Sequence, residues 1–227
     1  MPNVLVTGAN RGIGLEFVRQ YAGEGWRVYA TCRDPAKATA LKALKGEISV
    51  HRLDVADPKN AAALARELDG VPIDELVNNA GIYGPRGVKL GAFDFDAWEE
   101  VLRVNVIGPI AVADAFIKNV AKSNRKLIVA VSSGMGSIGG NASGTEYMYR
   151  SSKSALNMAM KCLSIETKPL GIICAIISPG WVRTDMGGPE ADISVEESVR
   201  GMRAVMARMT LADSARFFNH KGGEWPW

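Results

Sequence analysis

Histidine is nearly absent from this sequence: among 227 residues only His51 and His220 occur, far apart along the chain. This scarcity disfavours a zinc site and a histidine-based catalytic triad, because both depend on a histidine placed beside other ligands or a nucleophile. Cysteine is also scarce, with three residues at no metal-binding or redox spacing. Cys32, Cys162 and Cys174 are therefore predicted to be buried thiols in a reducing compartment.

The sequence also lacks a long apolar run and a cluster of basic residues. No segment has the length of a membrane span, and the first apolar run follows Met1 too closely for a signal peptide. The net charge of +3, without a basic run, argues against nucleic acid as the main partner. We therefore expect a cytoplasmic protein that binds neither membranes nor nucleic acid.

Short apolar runs alternate with longer amphipathic segments along the chain. The predicted strands are 4–6, 27–31, 48–53, 75–77, 127–131, 172–177 and 216–218. The predicted helices are 13–22, 35–44, 58–68, 96–122, 149–167 and 195–209. Continuous apolar strands are typical of strands that are covered on both faces. The pattern predicts one α/β domain over residues 1–227, with a doubly wound parallel sheet of the Rossmann type and helices on both faces.

A glycine-rich motif, Thr-Gly-Ala-Asn-Arg-Gly-Ile-Gly, follows the first predicted strand at residues 7–14. Such a turn exposes backbone N–H groups at the positive end of a helix, which favours a phosphate. Alone, the motif is equally compatible with an ordinary strand–helix turn. The candidate cofactor-binding residues in it are Gly8, Asn10, Arg11, Gly12, Ile13 and Gly14.

Tyr149 and Lys153 lie four residues apart at the start of a predicted helix, so both project from one face. A fixed ammonium charge favours the phenolate and lowers the pKa of a tyrosine, which makes Tyr149 a candidate proton donor near neutral pH. Most Tyr–Lys pairs at this spacing are only a solvated helix face. Tyr147 is the competing tyrosine, but no lysine follows it at that interval.

Five motifs in order carry a family resemblance: T-G-x-x-x-G-I-G, Asn-Asn-Ala-Gly at 78–81, Ser-Ser at 132–133, Tyr149-x-x-x-Lys153, and Pro-Gly-x-x-x-Thr at 179–184. Over essentially its whole length the chain resembles the short-chain dehydrogenase/reductase family. Residues 31–35, 187–189 and 217–218 resemble the carbonyl-reductase subgroup that includes the Sniffer reductases and C-factor-like proteins.

The resemblance implies roles for individual residues. Ser133, the second serine of its pair, would bind the substrate oxygen, with Ser132 as the alternative. Tyr149 would donate the proton, and Lys153 would hold the nicotinamide ribose. Further cofactor contacts are expected from Asp54, Val55, Asn79, Ala80, Gly81, Pro179, Gly180, Val182 and Thr184. Asp54 is also compatible with a turn that begins the next helix.

Asn105 lies inside the long predicted helix, four residues before Pro109. Because proline has no N–H, the Asn105 carbonyl loses its usual partner, and a kink with a free carbonyl is expected. The resemblance implies that Asn105 binds a water linking Lys153 to solvent. A purely structural kink is the alternative.

The end of the second strand bears on the choice of cofactor. NAD enzymes place an acid there to bind the ribose diol, whereas this chain has Cys32 followed by Arg33. Arg33 and Arg11 together suit a 2′-phosphate. Asp34 is the competing signal, but with Pro35 it is also a suitable start for a helix. NADP(H) is therefore the predicted cofactor.

These observations predict an NADPH-dependent reductase that transfers hydride to the carbonyl of a small apolar aldehyde, ketone or quinone. Candidate pocket residues are Tyr83, Ile138, Tyr147, Trp181 and Met186. The alternative is a dinucleotide-binding signalling or sensor protein with incidental activity.

Two long helices have more apolar residues than one stripe can hold, as Ile107, Ile110, Phe116 and Ile117, and Leu156, Met158, Met160 and Leu163 show. The surplus predicts a homodimer or a tetramer. A wider core within one chain explains it equally well.

Overall fold

A computed structural model describes residues 1–227 and contains a seven-stranded sheet. The strands are β1 (Asn3–Val6), β2 (Arg27–Cys32), β3 (Ile48–Arg52), β4 (Glu75–Asn78), β5 (Leu127–Val131), β6 (Ile173–Ser178) and β7 (Phe217–Asn219). All neighbours are parallel, in the order β3-β2-β1-β4-β5-β6-β7. The winding direction reverses between β1 and β4, where such sheets open a ligand-binding crevice at the carboxyl ends of the strands. The predicted doubly wound sheet is confirmed.

Helices cover both faces of the sheet. They are α1 (Gly12–Gly23), α2 (Thr39–Lys42), α3 (Pro58–Glu67), α4 (Phe95–Leu102), α5 (Gly108–Ala121), α6 (Tyr147–Thr167) and α7 (Val195–Arg208). One apolar layer includes Phe17 of α1 and Met202 of α7, and the other includes Phe116 of α5 and Leu156 of α6. Every residue of β5 and β6 is buried, as expected for strands covered on both faces. None of the helices combines the length and apolar composition that a membrane crossing requires.

Two predicted helices are broken in the structure. The predicted helix 96–122 is divided by a π-helical segment, Arg103–Ile107, between α4 and α5. Pro109 is the second residue after this segment and has no N–H to continue regular helical bonding, so the predicted kink takes the form of a widened turn. The predicted helix 35–44 is a 3₁₀ turn, Pro35–Lys37, followed by α2. Asp34 caps that turn by accepting a 3.1 Å hydrogen bond from the Ala36 N–H.

The three cysteines differ in burial, which corrects one prediction. Cys32 and Cys174 are buried, but Cys162 is exposed, so the prediction of three buried thiols is wrong there. The reason is its position on the same helix face as the exposed residues Met158 and Ile165.

The wider core accounts for much of the apolar surplus of α5 and α6. Phe116, Leu156 and Met160 are fully buried within the chain. Ile107 and Met158 remain 49% and 65% exposed. The homo-oligomer prediction therefore depends on these two exposed apolar side chains, which a second subunit would bury.

Candidate active site

Tyr149 lies in the first turn of α6 and is only 8% exposed. The Tyr83 ring covers it, with ring centroids 4.3 Å apart and planes inclined by 18°. Tyr147 is 42% exposed and lies instead against the rings of Phe93 and Trp98. The helix therefore directs Tyr149, and not Tyr147, towards the end of β5.

Lys153 is buried one helical turn after Tyr149, and its Nζ donates a 3.0 Å hydrogen bond to the backbone oxygen of Val131. Burial raises the pKa of Tyr149 to about 12 and lowers the pKa of Lys153 to about 8. The predicted lowering of the Tyr149 pKa by Lys153 is therefore wrong for this structure. The ammonium is hydrogen-bonded to β5, 5.7 Å from the phenol ring centroid, and the loss of water around both groups dominates.

The two serines after β5 have different surroundings. Ser132 is buried, and its Oγ donates a 2.6 Å hydrogen bond to Oδ1 of Asn157 in α6. Ser133 is half-buried, and its side chain is near enough to the Tyr149 phenol to act to lower the tyrosine pKa, against the larger effect of burial. Ser133 is thus the serine that the structure brings to the phenol.

Asn105 is fully buried in the π-helical segment, beside Lys153. Its Oδ1 accepts a 2.9 Å bond from the Ile82 N–H, and its Nδ2 donates to the Ile82 oxygen at 2.8 Å and to Ser152 Oγ at 3.0 Å. A Cβ added to Gly81 would lie 3.2 Å from Asn105 Oδ1 and 3.7 Å from Lys153 Nζ. The side chain therefore joins the segment after β4 to α6, a role that the sequence did not indicate.

The glycine-rich turn packs so tightly at Gly8 and Gly14 that a side chain is excluded at both positions. A Cβ on Gly8, where φ is +64°, would lie 2.9 Å from the Cα of Ala80. A Cβ on Gly14 would lie 2.2 Å from the Gly8 oxygen and 2.6 Å from Nδ2 of Asn79. Asn79 holds the turn by donating to the backbone oxygens of Thr7 and Gly8 at 2.9 and 3.2 Å. Asn79 and Ala80 thus define the shape of the turn.

The start of α1 fits a phosphate group. Arg11 stands at its N-cap without a capping side-chain bond, and the first turn contains no acidic residue. Asn10 and Arg11 are exposed, and Ile13 is half-buried. Free N–H groups at an uncompensated positive helix end are a suitable site for a dinucleotide pyrophosphate.

The end of β2 fits a 2′-phosphate better than a ribose diol. Arg33 is exposed and takes part in no ion pair. Asp34 is engaged by its own 3₁₀ turn and by Lys37 at 3.3 Å. Arg11, the other predicted phosphate ligand, is paired with Asp185 at 3.0 Å on the surface. Arg33 is therefore the better placed of the two arginines.

The remaining predicted cofactor residues lie along the same edge of the sheet. Asp54 accepts a 3.0 Å bond from the Ala56 N–H, which is the turn that the sequence left open as its alternative role. The buried Val55 packs on Gly108, where a Cβ would lie 2.9 Å from the Val55 oxygen. Thr184 approaches the glycine-rich turn, since a Cβ on Gly12 would lie 3.4 Å from its Cγ2.

After β6, the Pro179 oxygen accepts a 2.6 Å bond from Ser198 Oγ, Gly180 has a φ of +85°, and Val182 is buried. This segment therefore has a defined shape at the edge of the crevice.

Sequence reasoning missed the contacts of residues 224–227. The Trp225 ring lies against Gly134, so close that a Cβ there would be 2.7 Å from it. The backbone oxygens of Pro226 and Trp227 accept 2.6 Å bonds from Ser137 Oγ and the Gly139 N–H. These residues hold the segment that follows Ser133, and no sequence motif signalled it. Of the predicted pocket residues, Tyr83 lies against the Tyr149 ring, whereas Ile138 and Trp181 are exposed.

Comparisons with known proteins identify the family of this chain. The model of the short chain dehydrogenase family matches residues 2–193. C-signal of Myxococcus xanthus is 39% identical over 156 residues, which cover 69% of this chain and 93% of that protein. The structure of carbonyl reductase Sniffer of D. melanogaster has a TM-score of 0.94 and 32% identity, covering 100% of both chains. NADPH-bound carbonyl reductase from chicken fatty liver has a TM-score of 0.90 and 35% identity, covering 100% of this chain and 99% of that one. The chain belongs to the short-chain dehydrogenase family.

Proposed function

We propose that this protein is a carbonyl reductase that transfers hydride from NADPH to a small, largely apolar aldehyde, ketone or quinone. The observation that carries the proposal is the convergence of Tyr149, Ser133, Lys153 and Asn105 at the carboxyl edge of the sheet. They come from α6, the end of β5 and the π-helical segment. Membership of an oxidoreductase family and the similarity to carbonyl reductases support it.

The cofactor is NADP(H). The similar chicken enzyme is bound to NADPH. In this chain the uncapped start of α1 suits the pyrophosphate, and the unpaired Arg33 suits the 2′-phosphate. Asp34 does not compete, because its carboxylate is engaged by its own turn.

Each residue of the site has a task in this reaction. When bound, the cofactor supplies the hydride. Tyr149, which its high pKa keeps protonated, gives its proton to the oxygen of the developing alkoxide. Ser133 donates a hydrogen bond to the same oxygen, where charge accumulates in the transition state. Lys153 stabilises the phenolate that remains, and Asn105 fixes the backbone beside it.

A signalling protein on the same fold is the second candidate, because the 39% identical relative bears the name C-signal. A sensor that only binds a dinucleotide has no use for a buried tyrosine beside a serine and a buried lysine. The complete set of these side chains favours the enzyme. Turnover of carbonyl compounds separates the two candidates.

The test is Tyr149→Phe, with Tyr147→Phe as the matched control. A panel of aldehydes, ketones and quinones is followed by NADPH absorbance. Tyr149→Phe should lose turnover by about 10²–10⁴-fold, the usual worth of a positioned proton donor, while NADPH binding changes only a few-fold. Tyr147→Phe should stay active. Substantial reduction by Tyr149→Phe would contradict the proposed mechanism.

A further inference from the structure

Arg86, Tyr83 and Tyr149 form three successive layers. The guanidinium carbon of Arg86 lies 4.0 Å from the centroid of the Tyr83 ring, and that ring lies 4.3 Å from the ring of Tyr149. Arg86 belongs to the segment between β4 and α4 and donates a hydrogen bond to the backbone oxygen of Met186, in the segment between β6 and α7. The guanidinium is exposed, whereas the phenol is buried. An exposed cation thus stands one aromatic ring beyond the proposed proton donor.

No carboxylate neutralises Arg86. It takes part in none of the ion pairs of the structure, and the Met186 oxygen is its one hydrogen-bond acceptor. The nearby carboxylate of Glu146 accepts a 3.2 Å hydrogen bond from the Gly87 N–H.

Arg150 adds a second positive charge close to Tyr83, and Glu146 adds a negative charge that acts on the Tyr83 pKa more strongly than either arginine. The Arg150 guanidinium is held by the Met135 oxygen and by Ser143. The field of Arg86 reaches the site itself, since its charge acts to lower the pKa of Tyr149. Arg86 is therefore the cation that remains available for a ligand.

Stacking prepares Arg86 for a planar anion. A guanidinium held over an aromatic ring has less freedom to turn, and its fork of N–H donors matches a carboxylate with two hydrogen bonds. The Tyr83 ring lies between the guanidinium and the phenol, and Met135 Sδ lies 3.7 Å from the Tyr83 hydroxyl. The reduction of a neutral carbonyl needs no cation at this place, so the proposed reaction leaves Arg86 without a task.

We propose that Arg86 binds a carboxylate of the substrate, so that the preferred substrates have an apolar or aromatic body with the carboxylate about one aromatic ring away from the reacting carbonyl. This inference rests on the proposed carbonyl reductase function. It assigns Arg86 to substrate selection and leaves proton transfer to Tyr149.

The experiment compares para-carboxybenzaldehyde with its methyl ester, which has the same carbonyl and nearly the same shape but no charge. For the wild type, kcat/KM should favour the acid by about tenfold or more, mainly through KM, as expected for hydrogen bonds to a charged group. Arg86→Gln should abolish this preference, and Arg86→Lys should restore part of it. Lys89→Gln, which removes an exposed charge from the same segment, should keep the wild-type preference.

A salt titration of the wild type gives a second measurement that needs no variant. Added NaCl should raise KM for the acid but not for the ester, because salt screens an exposed charge pair. Equal use of acid and ester, a preference that survives Arg86→Gln, or a salt-insensitive KM for the acid would overturn the inference. Reduction of other carbonyl compounds but not of these two would also overturn the inference. All of these results would leave the proposed carbonyl reductase function intact. Absence of activity with every carbonyl compound would overturn both.

Discussion

Replacing Lys153 with methionine is predicted to stabilise the protein while it abolishes turnover. Lys153 is only 5% exposed, and its Nζ makes one hydrogen bond, to the Val131 oxygen at 3.0 Å. Methionine has a flexible side chain of similar length without the charge, so it can occupy the same space. The change in the free energy of unfolding therefore measures how much burial of the ammonium charge destabilises the fold.

The magnitude follows from the pKa of Lys153, which burial lowers from 10.5 to about 8. That difference means that the fold disfavours the charged form by about 3 kcal/mol. Loss of the hydrogen bond to Val131 opposes the gain by about 1 kcal/mol. The net expectation is a free energy of unfolding about 2 kcal/mol higher than that of the wild type near neutral pH.

The effect must depend on pH with a definite sign. Between about pH 8 and 10.5 the unfolded chain keeps the Lys153 proton and the folded protein loses it, so wild-type stability rises with pH across this window. Below the window the penalty is fully present. The advantage of Lys153→Met should therefore shrink as the pH rises above 8 and end as a small deficit near 10.5. Titration of Tyr149 at higher pH is common to both proteins and cancels in the difference.

Urea unfolding of the cofactor-free proteins at about pH 7 and about pH 9.5, followed by tryptophan fluorescence, measures this difference. Lys161→Met is the control, because Lys161 is exposed on the same helix and its replacement should give no such pH dependence. A Lys153→Met variant less stable than the wild type near pH 7 would refute the reasoning. A stability difference that does not change with pH would refute it as well.

Three further predictions concern the cofactor site and assembly. The wild type should prefer NADPH to NADH in kcat/KM, and Arg33→Ala should weaken NADPH binding by about 2 kcal/mol with little change for NADH; equal use of both cofactors by the wild type would count against the 2′-phosphate site. Gly14→Ala should lower the thermal unfolding temperature and abolish NADPH binding measured by fluorescence, because its Cβ would lie 2.2 Å from the Gly8 oxygen. Light scattering at micromolar concentration should show a dimer or tetramer that Met158→Glu weakens, whereas a wild-type mass near 24.3 kDa would mean that the homo-oligomer prediction is wrong.

The parts of the fold that the sequence predicts well are those in which burial is nearly uniform. β5 begins and ends where its apolar run does, and β6 differs from the prediction by one residue at each end. The glycine-rich motif predicts Gly8 and Gly14 equally well, because a turn from strand to helix leaves no room for a Cβ there. In both cases the local pattern contains the physical reason for the structure.

The parts that the sequence could not predict depend on which groups meet across the fold. The hydrogen bond of Asn105 to Ser152 joins residues 47 positions apart, and neither residue type signals the other. The direction of the Tyr149 pKa was wrong for the same reason. The sequence places a lysine four residues away, but only the packing of Tyr83 over the phenol shows that desolvation exceeds the effect of that charge.

The opposite pKa changes of Tyr149 and Lys153 favour the direction in which we propose that the enzyme works. A phenol with a pKa of about 12 stays protonated at neutral pH and gives its proton only to a strong base such as a developing alkoxide. The phenolate then stands near an ammonium group with a pKa of about 8. Return of a proton from Lys153 to Tyr149 is downhill, because burial lowers the pKa of the lysine and raises that of the tyrosine, so the tyrosine is restored as a donor after each reduction. Burial of Lys153 thus disfavours its charge in the folded protein and also favours the return of its proton to Tyr149, the proposed proton donor.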